Sequence, residues 1–230
     1  MKVVIAIDSF KGSLSSIEAA EAVASGINEA YEDARTVCVP LADGGEGTVD
    51  ALVHASGGQR IALTVTGPLS EPVQAVYGLL NGGSTAVIEA AAACGLPLVP
   101  PHARNPLAST TFGVGELIAD ALGRGCRELL IGLGGSATND AGVGMLQALG
   151  CSFRDRNGFE VARGGAALES IASIDLSGAH PRLADVRIQA ACDVNNPLHG
   201  PEGAAHVFAP QKGASPAEVQ QLDRGLVRFA

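Results

Sequence analysis

The chain has 230 residues, 24 acidic against 15 basic side chains, a formal charge of -9, and 47% hydrophobic against 17% charged residues. That composition supplies a core for one large α/β domain or two small ones and excludes a disordered chain. With no run of Lys or Arg, 3% aromatic residues and no Trp, it also excludes a nucleic-acid surface made of basic patches and base-stacking platforms.

Residues 3–7 are a short β-branched apolar run, the pattern of a buried parallel strand. They are too short for a signal-peptide core, and no apolar run approaches the roughly 18 residues of a membrane span. The cysteines, at 38, 94, 126, 151 and 192, are odd in number and form no CxxC, so they read as buried reduced thiols of a cytoplasmic protein. The loop Asp8-Ser-Phe-Lys-Gly-Ser follows the first strand. Ser15 stands three residues before Glu18, the spacing of a capping box. Ala20, Val23, Ala24, Ile27 and Tyr31 then recur at helical spacing. A second strand over 36–41 runs into Asp43-Gly-Gly-Glu-Gly-Thr, and a helix over about 48–55 stops at Gly57-Gly58.

The period then changes. Ile61, Leu63 and Val65 alternate, as do Val73, Ala75, Tyr77 and Leu79, and Asn81-Gly82 is a hairpin signal. Residues 60–89 are therefore expected to form an antiparallel meander, with a domain boundary at residue 59 dividing the chain into 1–59 and 60–230. Helical spacing returns at Leu117, Ile118, Ala121 and Leu122. A strand over 129–133 leads into Gly134-Gly-Ser-Ala-Thr-Asn-Asp, and a helix follows through Met145, Leu146 and Leu149. A last strand over 188–192 ends at Asp193. Val219, Leu222, Leu226 and Phe229 mark an amphipathic helix that reaches Ala230 in mid-pattern. An apolar stripe needs a partner, so further chain is expected to cover it, and without that cover the helix is expected to drive self-association.

Three acids, Asp8, Asp43 and Asp193, stand just past strand ends, where ligands of open α/β sheets bind. Carboxylates gathered there repel one another unless a cation intervenes, which points to Mg²⁺; the competing reading is that each caps a turn or helix. Gly134-Gly135-Ser136-Ala137-Thr138-Asn139-Asp140 joins a strand to a helix, so its backbone N–H groups are candidates for a phosphate. Asp140 is a candidate general base or metal ligand, or else a helix cap. The loop is neither a Walker A sequence nor a GxGxxG fingerprint. Asp43-Gly44-Gly45-Glu46-Gly47 is a second such loop. Lys11, beside Asp8 and Ser9, and Lys212 are the cations preferred for a transferring phosphoryl group, against the ordinary fate of a solvated lysine. The histidines show no metal or triad spacing, His54 reads as a surface residue, and no GxSxG supports an esterase.

Asp8-Ser-Phe-Lys-Gly-Ser-Leu, Pro40-Leu-Ala-Asp-Gly-Gly-Glu-Gly-Thr, Gly95-Leu-Pro-Leu-Val with Arg104-Asn-Pro, Thr110-Thr-Phe-Gly-Val-Gly-Glu-Leu-Ile, Ile131-Gly-Leu-Gly-Gly-Ser-Ala-Thr-Asn-Asp, Ala191-Cys-Asp-Val-Asn-Asn-Pro-Leu and Phe208-Ala-Pro-Gln-Lys-Gly-Ala occur in this order. Together they resemble the bacterial glycerate kinase family over nearly the whole chain. The resemblance implies an enzyme that uses ATP and Mg²⁺ to phosphorylate D-glycerate, at its 2-hydroxyl. It implies two α/β domains, one flavodoxin/Rossmann-like with a mainly parallel sheet and one mixed, with the site between them. It makes Asp8, Lys11, Asp43, Asp140 and Asp193 catalytic candidates. Ser9, Lys11, Gly44, Gly45, Gly134, Gly135, Ser136, Thr138, Asn139 and Lys212 become candidates for substrate and phosphate, and Asp43, Glu46 and Asp193 for the metal. Departures are Ile7 for Pro, Ala141 for Gly and Asn195 for Asp, the last removing one acidic ligand. The family also continues beyond the equivalent of Ala230 with a further glycine-rich segment. Competing readings are a kinase or phosphatase of another small acid, an inactive fragment, or a non-catalytic module. A haloacid-type phosphatase would need an acid where Phe10 stands.

Overall fold

In the computed structural model, which describes residues 1–10 and 13–230, β1 (Lys2–Ile7) and β2 (Arg35–Pro40) pair in parallel. They are joined by α1 (Ser16–Ala30), whose start is the expected capping box: the Ser15 hydroxyl accepts from the Glu18 N–H, and the Glu18 carboxylate accepts from the Ser15 N–H at 2.9 Å. Helix α2 (Thr48–Ser56) stops where Gly57 adopts a left-handed φ of 66°. The meander follows as β3 (Gln59–Thr66), β4 (Pro72–Leu80) and β5 (Thr85–Glu89), with Asn81 and Gly82 supplying the positive φ of the turn between the last two.

Short α3 (Ala90–Cys94) and α4 (Phe112–Gly123) precede β6 (Glu128–Gly132), which pairs parallel to β5. After α5 (Val143–Ala148), β7 (Ser152–Arg154) and β8 (Ser173–Asp175) make a separate antiparallel pair. Strand β9 (Arg187–Ala191) then returns to the large sheet, parallel to β6, giving the order β3-β4-β5-β6-β9. The class is α/β as expected: a parallel βαβ unit beside a mixed five-stranded sheet. The chain closes with α6 (Ala204–Phe208) and α7 (Pro216–Phe229).

One face of the large sheet buries Tyr77, Ile88 and Leu129 under Leu117, Ile118 and Leu122 of α4. Each large side chain so buried contributes about 1.5–3 kcal/mol. The other face carries α2: Val49, Leu52 and Val53 pack on Leu80, Val87 and Leu130. The change of period at residue 59 assigns α2 to the first unit, yet its apolar face lies on the five-stranded sheet. Among the described residues no helix is long and apolar enough to cross a membrane.

Two expectations are corrected by packing. The α7 stripe is already covered: Val219, Leu222 and Leu226 are buried with Phe153, Leu168, Ile171 and Ala205, and the Phe229 ring lies 6.5 Å from that of Phe153. Its apolar residues therefore give no reason to expect self-association through this helix. The thiols also divide. Cys94, Cys126 and Cys151 are buried, but Cys38 is half-buried and Cys192 is exposed; all five are free.

Helices α4 and α5 cross at Gly115, where a Cβ would collide with the Met145 carbonyl and stand 2.7 Å from the Ala148 Cβ. Because the obstacle is backbone, Gly115→Ala is expected to force the two helices apart and cost about 1–3 kcal/mol in urea unfolding.

Candidate active site

Strands β5, β6 and β9 run parallel and end level, with Glu89, Gly132 and Ala191 in register at the carboxyl edge. The loop after β2 lies across this edge. A Cβ on Gly132 would strike the Gly44 carbonyl, one on Gly134 would stand 2.9 Å from the Gly45 Cα, and one on Gly44 would stand 3.0 Å from the Ala191 carbonyl oxygen. These glycines therefore serve backbone-to-backbone contact, a use that the spacing of Gly44 and Gly134, phosphate candidates by sequence, does not reveal. The Asp43 carboxylate turns the loop by accepting from the Gly45 N–H at 2.9 Å.

Between this loop and the segments that follow β6 and β9 lies a crevice of about 490 Å³. It is lined by Asp43, Gly45 and Glu46 of the loop, by Gly134, Gly135 and Ser136 beyond the end of β6, and by Asp193 and Lys212, with Leu96, Leu133, Val194 and Phe208 as apolar lining. Asp8 and Ser9 stand at the end of β1, where the Ser9 N–H donates to the Asp8 carboxylate at 2.6 Å, but neither lines the crevice. Lys11 lies outside the described residues.

Lys212 is not a solvated surface charge. It is 8% exposed, and its Nζ donates to the Ser136 Oγ at 3.0 Å and the Thr138 carbonyl at 2.6 Å. Burial lowers its pKa, against the pull of Cys94 and Asp140. The nearby Cys94 thiol is pushed up to about 12 by burial and so stays protonated. The glycine loop is held from behind as well: Leu96 N–H donates to the Gly135 carbonyl at 2.8 Å, and Ser109 Oγ to that of Ala137 at 2.7 Å.

The far half of that loop does not reach the crevice. Thr138, Asn139 and Asp140 are 6%, 8% and 1% exposed. Asp140 accepts from the Thr111 N–H and Oγ1, both at 2.9 Å, and from the N–H groups of Gly142 and Gly144, both at 3.3 Å. Burial raises its pKa and these four bonds oppose the rise. The candidate general base is thus enclosed, and it ties the start of α4 to the start of α5. Of the α5 N–H groups, its carboxylate takes that of Gly144, and the N-cap position falls to Gly142 instead of Asp140.

Asp43, Glu46 and Asp193 share the crevice, yet no three His, Cys, Asp or Glu side chains among the described residues form a ready-made cation cage. That donor set suits Mg²⁺, which takes one or two carboxylates and completes its shell with water and phosphate oxygens. Two residues were not singled out by sequence. Cys192 lines the crevice beside Asp193. Glu89, at the end of β5, accepts from the Val49 N–H at 2.7 Å; burial raises its pKa, and Asp50 and Glu46 add to the rise. Its strand-end position is the same signal that drew attention to Asp8, Asp43 and Asp193.

The model of the glycerate kinase family matches residues 3–230. The chain belongs to the glycerate kinase family. It is 54% identical over 230 residues to a glycerate kinase of Bacillus subtilis strain 168 and 52% identical to a glycerate 2-kinase of Escherichia coli K12, in each case covering all of this chain and 60% of the relative. A crystal structure of a Salmonella typhimurium LT2 protein, assigned as a glycerate kinase 2, superimposes with a TM-score of 0.91 at 53% identity; the match covers all of this chain and 62% of that one. This family member thus spans about 60% of the length of the curated relatives it matches.

Ala141, which stands where the family resemblance leads one to expect Gly, adopts a φ of 50°. The left-handed region costs a Cβ-bearing residue about 1–2 kcal/mol, and glycine's extra unfolded-state freedom returns part of that. Ala141→Gly is therefore expected to stabilise the protein by about 0.5–1 kcal/mol, read as a higher urea midpoint with unchanged slope.

Proposed function

We propose that the full-length polypeptide transfers the γ-phosphoryl group of ATP to the 2-hydroxyl of D-glycerate, giving 2-phosphoglycerate and ADP, in the cytoplasm. The observation that carries this reading is a single crevice lined together by three carboxylates, those of Asp43, Glu46 and Asp193, by the buried Lys212 and by the glycine-loop backbone of 134–136. Phosphoryl transfer needs little covalent chemistry from the protein; it needs positioning and charge, which this inventory supplies.

In the proposed arrangement the N–H groups of Gly134, Gly135 and Ser136 and the Lys212 ammonium receive phosphate oxygens. Lys212 is suited to this because its ammonium is already held by the Ser136 hydroxyl and the Thr138 carbonyl, so little rotamer freedom is left to lose. The apolar side chains of Leu96, Leu133, Val194 and Phe208 offer a surface to the adenine. The glycerate hydroxyl attacks the γ-phosphorus in line, the bond from that phosphorus to the β,γ-bridging oxygen breaks, and the hydroxyl proton passes to a crevice carboxylate, Asp43 or Asp193. Asp43, Glu46 and Asp193 are the residues that would hold Mg²⁺, which when bound neutralises phosphate charge. Asp8 and Lys11 remain candidates for the glycerate carboxylate side, from the family motif that contains them. Asp140 acts here as a scaffold, since its oxygens face α4 and α5.

The test uses the full-length protein. Mg-ATP with D-glycerate is expected to release ADP and form a phosphoglycerate in equal amounts; no glycerate-dependent ADP release at any Mg²⁺ concentration would sink the reading. Asp43→Asn, Asp193→Asn and Lys212→Met are each expected to lower turnover by about 100-fold or more, the scale for removing a positioned electrostatic group. The two Asn variants should unfold at nearly the wild-type temperature. Wild-type turnover in both of them would reduce those acids to turn formers.

A further inference from the structure

We propose that Glu89 is a positioning residue of this crevice: from the end of β5 its carboxylate caps the first turn of α2 and so holds the acid-bearing loop 43–47 in place. The inference rests on the kinase reading above and concerns a residue that does not line the crevice.

Helix α2 begins badly by itself. Its N-cap is Gly47, at a φ of 93°, which has no side chain to accept from the first-turn N–H groups. The Val49 N–H, which a cap side chain would ordinarily satisfy, donates instead to the Glu89 Oε1 at 2.7 Å, across 40 residues of sequence. A carboxylate at this end also opposes the partial positive charge of the helix N-terminus.

The consequence reaches the crevice through geometry. Gly44, Gly45 and Gly47 give the loop no side chains of their own with which to grip the sheet. Its path is set by the backbone contact of Gly44 with the sheet edge and by what holds its two ends. One end follows β2; the other is α2, whose side chains Val49, Leu52 and Val53 rest on the sheet and whose first turn is pinned by Glu89. Glu89 is in register with Gly132 and, through it, with Ala191, the two residues against which Gly44 packs. Glu89 therefore indexes the start of α2 to the same sheet edge that bears the loop. Glu46, two residues before the helix, inherits that placement.

The experiment compares full-length wild type with Glu89→Gln, Glu89→Asp and Glu89→Ala. Gln keeps an acceptor oxygen at the same reach, whereas Asp keeps the charge but is one methylene too short. The expected result is a KM for Mg-ATP raised about 10-fold or more in the Asp and Ala variants and within about 3-fold of wild type in the Gln variant, since misplacement of a positioning element by about 1 Å has effects of this order. Hydrogen exchange over residues 43–49 should accelerate in Asp and Ala, remain near wild type in Gln, and be unchanged over α1 and α4 in all three. Wild-type kinetics and exchange in the Ala variant would overturn the proposal. So would a Gln variant as impaired as Ala, because charge and not capping would then be at work. If Ala does not fold, the Asp–Gln pair decides alone. Absence of glycerate-dependent turnover in wild type would refute the kinase reading, and the exchange pattern would still decide whether Glu89 holds the loop.

Discussion

The crevice depends on one close contact, the passage of the loop 43–47 over the carboxyl edge of β6 and β9. Backbone meets backbone at Gly132 and Gly44, with no room for a Cβ on the strand residue. A side chain there would lift the loop, and with it Asp43 and Glu46, away from the glycine segment 134–136 that faces them. The two glycine-rich loops are therefore coupled. Each is glycine-rich because the other lies against it, and the acids and backbone N–H groups they carry come into one site as a result.

Charge in this region is handled in two different ways. Asp140 and Lys212 are both buried, and both belong to family motifs, but their oxygens and hydrogens go mostly to the protein. Asp140 gathers four donors at the junction of α4 and α5, because a buried carboxylate without partners would cost several kcal/mol. Lys212 is anchored by two acceptors while remaining at the crevice wall. Asp43, Glu46 and Asp193, by contrast, are exposed to solvent in the crevice. There hydration tolerates the like charges. In the proposed site, burial and not residue type separates scaffold from chemistry.

Much of the architecture was legible because it is local. The Ser15–Glu18 capping box, the Gly57 stop, the alternation from Ile61 to Leu79 and the Asn81-Gly82 turn each depend on residues within one or two turns of each other, and each forms where its spacing says. The identity of the crevice loops was legible too, since they combine glycine with acid at strand ends. The α7 stripe shows the limit: Val219, Leu222 and Leu226 announce a buried face, but not that Phe153, Leu168 and Ile171 bury it.

By itself, then, the sequence determined the elements, their class, the family, and the short list of acids and lysines from which a phosphoryl-transfer site can be drawn. Only the tertiary structure decided which members of that list share a cavity. It sent Asp140 inward and Lys212 to the wall, left Asp8 outside the crevice lining, and brought Glu89 to a helix start 40 residues away. The physical reason is that propensity, capping and periodicity act over a few residues, whereas burial and the satisfaction of buried donors depend on which distant segments meet.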